Sequence, residues 1–248
     1  MPVILLIFGV SILSQNALGQ GGTCYNLPGC ENIPWNSTYY DVVLPEFPTC
    51  TLTVQSKSRI CNGKTQFYVA AIHFYHIGND CSALKDWLYP NGEDQFGILP
   101  DPQKVDYLFD YSYENIIDQE FDSAIYLLGT EYFDCEDGYL GPINVFSYFK
   151  GICKSMCWMI YSHVSNPYKR LFYYKRQNCI DICCQVEVMK CWDSSVPPGE
   201  VRTTTNITIP PEAPDCSTLA FPPCTFPNIP NYNQGMSFPV PCRPYCQN

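Results

Sequence analysis

Sixteen cysteines, running from Cys24 to Cys246, constrain this chain more than any other feature. They all follow an apolar run at residues 3–14, which has the length of a secretory signal core, about 7–15 residues. A bilayer-spanning helix needs about 20 mostly apolar residues, so the run is too short to be one. Gln15-Asn16 and the small-x-small sequence Ala17-Leu18-Gly19 come next. The expectation is therefore a signal peptide over 1–19 and a mature chain starting at Gln20. An even, dense cysteine set behind an export signal forms disulfides. The expected set is Cys24, Cys30, Cys50, Cys61, Cys81, Cys135, Cys153, Cys157, Cys179, Cys183, Cys184, Cys191, Cys216, Cys224, Cys242 and Cys246. Sixteen cysteines permit about two million complete pairings, so the connectivity is not legible.

Charge is sparse and unevenly placed. The net charge is −10. Residues 80–137 carry 15 Asp/Glu against Lys85 and Lys104, a local balance of −13, whereas residues 150–190 carry seven Lys/Arg against Asp181 and Glu187, a balance of +5. Either the acidic part is a face for cations and the basic part a strip for an anionic ligand, or two halves of one molecule attract each other. Nucleic acid is disfavoured as a partner, because phosphate binding needs a basic footprint and this chain is acidic and bears an export signal.

Local patterning is mostly that of strands. Residues 20–49 read as an extended arm pinned by Cys24 and Cys30. Thr51 to Ile60 alternates, Asn62-Gly63 supplies the two left-handed residues of a type I′ turn, and Thr65 to Ile77 is a second strand. With that turn, paired positions sum to 125, setting Val54 opposite Ala71. Phe67, Val69 and Ala71 then share one face, and Tyr68, Ala70, Ile72 and Phe74 the other, so this strand belongs inside a sheet. Ser82 to Leu88 reads as a short helix. Asp101-Pro102 opens a longer one, with Val105, Leu108, Phe109, Tyr113, Ile116 and Ile117 on its apolar stripe and Asp106, Asp110, Glu114 and Asp118 on its polar face. Further strands are expected at 145–150, 155–164, 169–176, 185–192 and 200–209. The last segment, 209–248, has ten prolines and four cysteines and reads as an irregular tail. The expected fold class is α+β, β-dominated, with disulfide-rich antiparallel hairpin sheets, a helical insertion and that tail. The expected divisions are 20–140, 141–208 and 209–248. Cys50, Cys61 and Cys81 parallel Cys184, Cys191 and Cys216 as ends of two strand pairs, which suggests a repeated hairpin.

Catalytic signatures are missing from the sequence. There is no C-x-x-C, G-x-S-x-G, H-E-x-x-H or phosphate-binding loop. The adjacent Cys183-Cys184 is expected to reach two different partners. His73 and His76 fall on opposite faces of a strand and cannot share an ion there. No cofactor is expected. Calcium has weak candidates in Asp134, Glu136 and Asp137, whose spacing does not fit an EF-hand loop. Lys169, Arg170, Phe172, Tyr173, Tyr174, Lys175 and Arg176 set aromatic rings between two basic pairs, a composition suited to a protein or glycan ligand. Asn36-Ser37-Thr38 and Asn206-Ile207-Thr208 are glycosylation sequons in a eukaryotic host.

The run Asn178-Cys179-Ile180-Asp181-Ile182-Cys183-Cys184-Gln185-Val186, followed by Cys191-Trp192-Asp193 and Asp215-Cys216, resembles uncharacterised secreted cysteine-rich proteins of Bacteroidota. The resemblance covers 150–248 and, more loosely, 50–90, and implies export and a disulfide framework without an activity. Two classes of function follow. The first is a secreted or periplasmic disulfide-stabilised binding or structural module of the cell envelope or exterior, without a transmembrane segment. The second is an exported hydrolase, with glycans as its candidate substrate class, that draws carboxylates from residues 80–137.

Overall fold

The computed structural model describes residues 29–75, 81–92, 99–136, 138, 140–180, 182–210 and 214–246. The expected signal peptide at 1–19, Cys24, His76 and Asp137 lie outside them. The chain is α+β and β-dominated, as its alternating runs require. Nine strands and two helices follow in order: β1 (Asn36–Val43), β2 (Thr51–Cys61), β3 (Lys64–Tyr75), α1 (Ser82–Leu88), α2 (Pro102–Leu128), β4 (Val145–Gly151), β5 (Cys153–His163), β6 (Asn166–Asn178), β7 (Cys183–Asp193), β8 (Glu200–Thr208) and β9 (Tyr232–Pro244).

All nine strands join one sheet that forks at β3. On one edge β3 pairs with β2, and β2 with β1. On the other edge its first part lies parallel to β4 and its last part antiparallel to β6. Strands β7 and β8 extend the sheet beyond β4, while β5 and β9 extend it beyond β6. Thus β3, from the 20–140 segment, pairs along one edge with two strands of the 141–208 segment, and the sheet is continuous across the boundary at 140.

Strands β2 and β3 meet at the expected turn, with Asn62 at φ 53° and Gly63 at φ 70°. From Cys61↔Lys64 out to Ser56↔Val69 the register sums to 125, but beyond it Gln55 faces Ala71 and Val54 faces Ile72. Ala70 is therefore the extra residue of a β-bulge, which reverses the facing of everything after it. Instead of the facing expected from simple alternation, Phe67 and Val69 share the helix-covered core with Ile72 and Phe74, while Ala71 turns to the opposite face. The Val69 N–H at the bulge donates to the Tyr113 hydroxyl of α2 at 3.0 Å, and the Tyr113 ring stacks on Tyr148 at 4.3 Å.

The two faces of the sheet have different covers. Helix α2 is capped by the Asp101 carboxylate, which accepts from the Gln103 and Lys104 amides. It lays Val105, Leu108, Phe109, Tyr113, Ile116, Ile117 and Phe121 on one face, as the apolar stripe predicts. Phe226, Ile229 and Tyr232 of the tail cover the other face, against Ala71, Met159, Tyr161, Leu171 and Tyr173. The tail is irregular only in its first half. Residues 232–244 form β9 on β5, with Pro239, Pro241 and Pro244 tolerated because β9 has a single strand partner. The expected arm also gains regular structure, since β1 pairs along its whole length with β2.

Seven disulfides between described residues fasten this arrangement: Cys30–Cys61, Cys50–Cys81, Cys135–Cys191, Cys153–Cys216, Cys157–Cys224, Cys179–Cys242 and Cys184–Cys246. The last four tie β5, the end of β6 and β7 to the tail, so the proline-rich segment is stitched across the sheet. Cys183 is also disulfide-bonded, and its neighbour Cys184 bonds elsewhere, as expected for an adjacent pair. The suggested repeat does not extend to the bridges. Cys50 joins Cys81, whereas their counterparts Cys184 and Cys216 join Cys246 and Cys153.

Candidate functional site

The acidic stripe of α2 and the basic segment meet where the helix packs on the sheet, half-buried at Asp106 and open toward solvent at Asp118. Asp106, Asp110 and Asp118 recur every four residues or a multiple of it, so they rise along one side of the helix. Asp106 accepts from Arg176 at 2.6 Å, lies 3.3 Å from the Lys154 ammonium and pairs with Arg243. Asp110 lies 3.2 Å from Lys150 and 3.4 Å from Arg176, and Asp118 lies 2.5 Å from Lys190. The Arg176 guanidinium is sandwiched between the Phe109 ring at 4.2 Å and the Tyr245 ring at 4.5 Å. Five cations from β4, β5, β6, β7 and β9 therefore converge on three carboxylates of one helix, four of the five coming from the basic segment 150–190.

Burial and charge oppose each other at this hub. Burial acts to raise the Asp106 carboxyl, but Arg176, Lys154 and Arg243 together outweigh it and hold the group below the usual carboxylate range. At Lys154 burial dominates, with repulsion from Arg176 added, and the amine is pushed well below its ordinary value despite Asp106 and Asp110. The Lys154 side chain is buried, and its ammonium packs against the Tyr245 ring. The hub is a clamp between helix and sheet.

The outer side of the helices carries a different feature. Phe47 of the β1–β2 loop, Trp87 of α1, and Tyr107 and Tyr111 of α2 form a row of rings with successive centroids 5.5, 6.0 and 6.0 Å apart. Tyr107 is exposed, and the other three are half-buried. The Cys50–Cys81 bond joins the loop that bears Phe47 to the start of the helix that bears Trp87. Tyr107 donates to Glu46 at 2.9 Å, Tyr111 to the Val43 carbonyl at 3.3 Å, and Lys104 to the Trp87 carbonyl at 2.7 Å with its ammonium 5.1 Å from the indole. Burial and the bond to Glu46 push the Tyr107 phenol up to about 12. The sequence held a signal for this row, since Tyr107 and Tyr111 are four apart on α2 and off its apolar stripe. Phe47 and Trp87 carry no such local mark.

The residues singled out from sequence are distributed otherwise. Of the ring-and-cation run on β6, Phe172 and Tyr174 are buried under the helices and Tyr173 under the tail, so the expected aromatic face is covered on both sides. Arg176 belongs to the clamp, Lys175 donates to Thr225 of the tail at 3.3 Å, and Lys169 and Arg170 are half-buried toward the start of the strand. Asp134 and Glu136 remain adjacent: one Asp134 oxygen accepts from the Glu136 amide and the other from the Ser194 hydroxyl. Among the described residues no cluster of three or more His, Cys, Asp or Glu converges to hold a metal. The half-buried His73 ring stacks on Tyr173, and burial lowers its pKa.

Among the described residues no helix is long and apolar enough to cross a membrane. Neither family models, curated proteins nor solved structures yield a match to this chain.

Proposed function

We propose that the protein is an exported binding module, held rigid by its disulfides, that engages a protein partner through the ring row of Phe47, Trp87, Tyr107 and Tyr111. The disulfide framework carries the reading. Seven bonds and no free cysteine among the described residues suit an oxidising compartment, where such bonds persist. The choice of surface rests on composition and rigidity. Tyr and Trp with a polar rim are the residues that dominate protein interfaces, and one of the seven bonds fixes the two segments that bear half the row. The hydrolase alternative draws less support, because Asp101 caps α2, Asp106, Asp110 and Asp118 hold the clamp, and Glu120 accepts from Tyr40.

Two experiments test the reading. The first 19 residues, fused to a reporter enzyme that is active only after export, should carry it out of the cell, and a reporter that stays inside overturns the export reading. The protein, displayed against an array of extracellular proteins and glycans, should retain a protein partner. The Trp87→Ala/Tyr107→Ala variant should bind that partner about 100-fold more weakly, as expected for the loss of two aromatic anchors. Binding unaffected by both substitutions, or capture by glycans alone, contradicts the proposed surface.

A further inference from the structure

Among the described residues three strands of the sheet have a single strand partner: β1 on β2, β8 on β7 and β9 on β5. Such an edge offers a row of backbone donors and acceptors to another chain, and native proteins guard it with proline, charge or a cover. Helix α2 covers part of the β1 edge, where Gln119 donates to the Asp41 carbonyl at 3.0 Å and Tyr111 to the Val43 carbonyl at 3.3 Å. Strand β9 has its guard in Pro239, Pro241 and Pro244. Strands β1 and β8 contain no proline. In β8 all nine residues are exposed, among them Val201 and Ile207, and the run Val201 to Ile209 combines high β-propensity with one charge, Arg202, which is paired with Asp193. A strand of this kind, exposed on both faces, is a template for edge-to-edge association.

The chain holds two Asn-x-Ser/Thr sequences, and they fall on these two proline-free strands: Asn36-Ser37-Thr38 opens β1, and Asn206-Ile207-Thr208 closes β8. Both asparagines are exposed. Asn206 faces Glu187 across the strand pair, while its neighbour Ile207 faces Val186. Its side chain therefore lies on the side of the sheet away from the core that Val186 enters, where a bulky substituent meets no packed layer of that core.

We propose that Asn206 and Asn36 are N-glycosylation sites, used where the exporting cell transfers oligosaccharide to Asn-x-Ser/Thr, and that the Asn206 glycan guards the β8 edge in place of proline. In the transfer a lipid-linked oligosaccharide diphosphate is the donor. The carboxamide Nδ2 forms a bond to the anomeric carbon of the first sugar, the bond from that carbon to the diphosphate oxygen breaks, the lipid diphosphate leaves with the bonding pair, and the amide gives up one proton. The hydrated glycan then occupies the approach that a second β8 would need.

The proposal rests on the export reading, so the test places a foreign leader before the full chain and makes entry into the lumen independent of the chain's own first residues. The protein is collected from the medium of eukaryotic cells, and glycan release by an amidase that converts each linked Asn to Asp reads occupancy by peptide mass. Modified Asn206 and Asn36 peptides are expected. Thr208→Ala, which keeps Asn206, should lose one glycan and shift from monomer to dimer or larger species in light-scattering chromatography. Thr208→Ala with Ile207→Lys should stay monomeric without the glycan, because the charge restores a guard. Secreted, thiol-free protein with an unmodified Asn206 overturns the site, and a Thr208→Ala protein as monomeric as the wild type overturns the guarding role.

Discussion

Replacing Asp106 by Asn tests the clamp with a change of charge at nearly constant shape. The Asp106 carboxylate is 18% exposed and touches Arg176, Lys154 and Arg243. At an effective dielectric of about 20, one ion pair near 3 Å is worth roughly 5 kcal/mol of attraction. Three such contacts do not add, because the cations repel one another and the carboxylate has lost several kcal/mol of hydration. The removal of one partner from a buried pair costs about 3–5 kcal/mol, and Asp106→Asn is expected in that range. For a domain of this size each kcal/mol moves the melting midpoint by about 2–4 °C, so Tm should fall by roughly 6–20 °C at pH 7 in calorimetry with the disulfides intact. The sign of the pH dependence follows from the depressed Asp106 pKa. The stabilisation is fully present above the unfolded carboxyl value of about 4 and is lost as pH falls through the lower folded value. The gap between wild type and variant should therefore close in strong acid. A variant within about 2 °C of wild type at neutral pH, or a gap that persists unchanged in strong acid, refutes the clamp.

Three further outcomes are expected. Lys154→Met removes a buried amine whose folded pKa is lowered. In wild type the unfolded chain binds the extra proton between that folded value and about 10.4, so stability rises with pH over the window; chemical denaturation should show this rise in wild type and its loss in the variant. Gly63→Ala forces a side chain onto φ 70° in the β2–β3 turn and should lower stability by about 1–2 kcal/mol in urea titration. Cys50→Ala/Cys81→Ala opens a loop with a sequence separation of 31. It should cost about 3–4 kcal/mol in the same assay and, if the ring row is the contact surface, weaken partner binding more than the clamp variants do.

Elements set by near neighbours in the chain were legible, and elements set by distant ones were not. The Asn62-Gly63 turn and the Asp101-Pro102 helix start rest on backbone preferences of the residues themselves, and both stand where the sequence places them. The Ala70 bulge is different: it arises where β3 passes from a parallel pairing with β4 to an antiparallel one with β6, and the Tyr113 hydroxyl meets the Val69 amide there. No local pattern marks that exchange. The β6 rings looked available because alternation makes one face of a strand a natural candidate for solvent. Their second cover comes from Phe226, Ile229 and Tyr232, more than 50 residues away. The same distance hid β9, whose prolines read as irregular chain until the strand is seen on an edge. The charge imbalance was visible in sequence, and the pairing of Asp106 and Asp110 with basic residues needed the packing of α2 across five strands.

The most direct test of a disulfide-locked exported module is the mass of the exported protein before and after alkylation without reductant, followed by mapping of the linked peptides. The account predicts no label on any of the 15 cysteines from Cys30 to Cys246 and the recovery of linked pairs such as Cys157–Cys224 and Cys184–Cys246. Alkylation of any of these thiols in the folded protein, or a Cys183–Cys184 link, contradicts it.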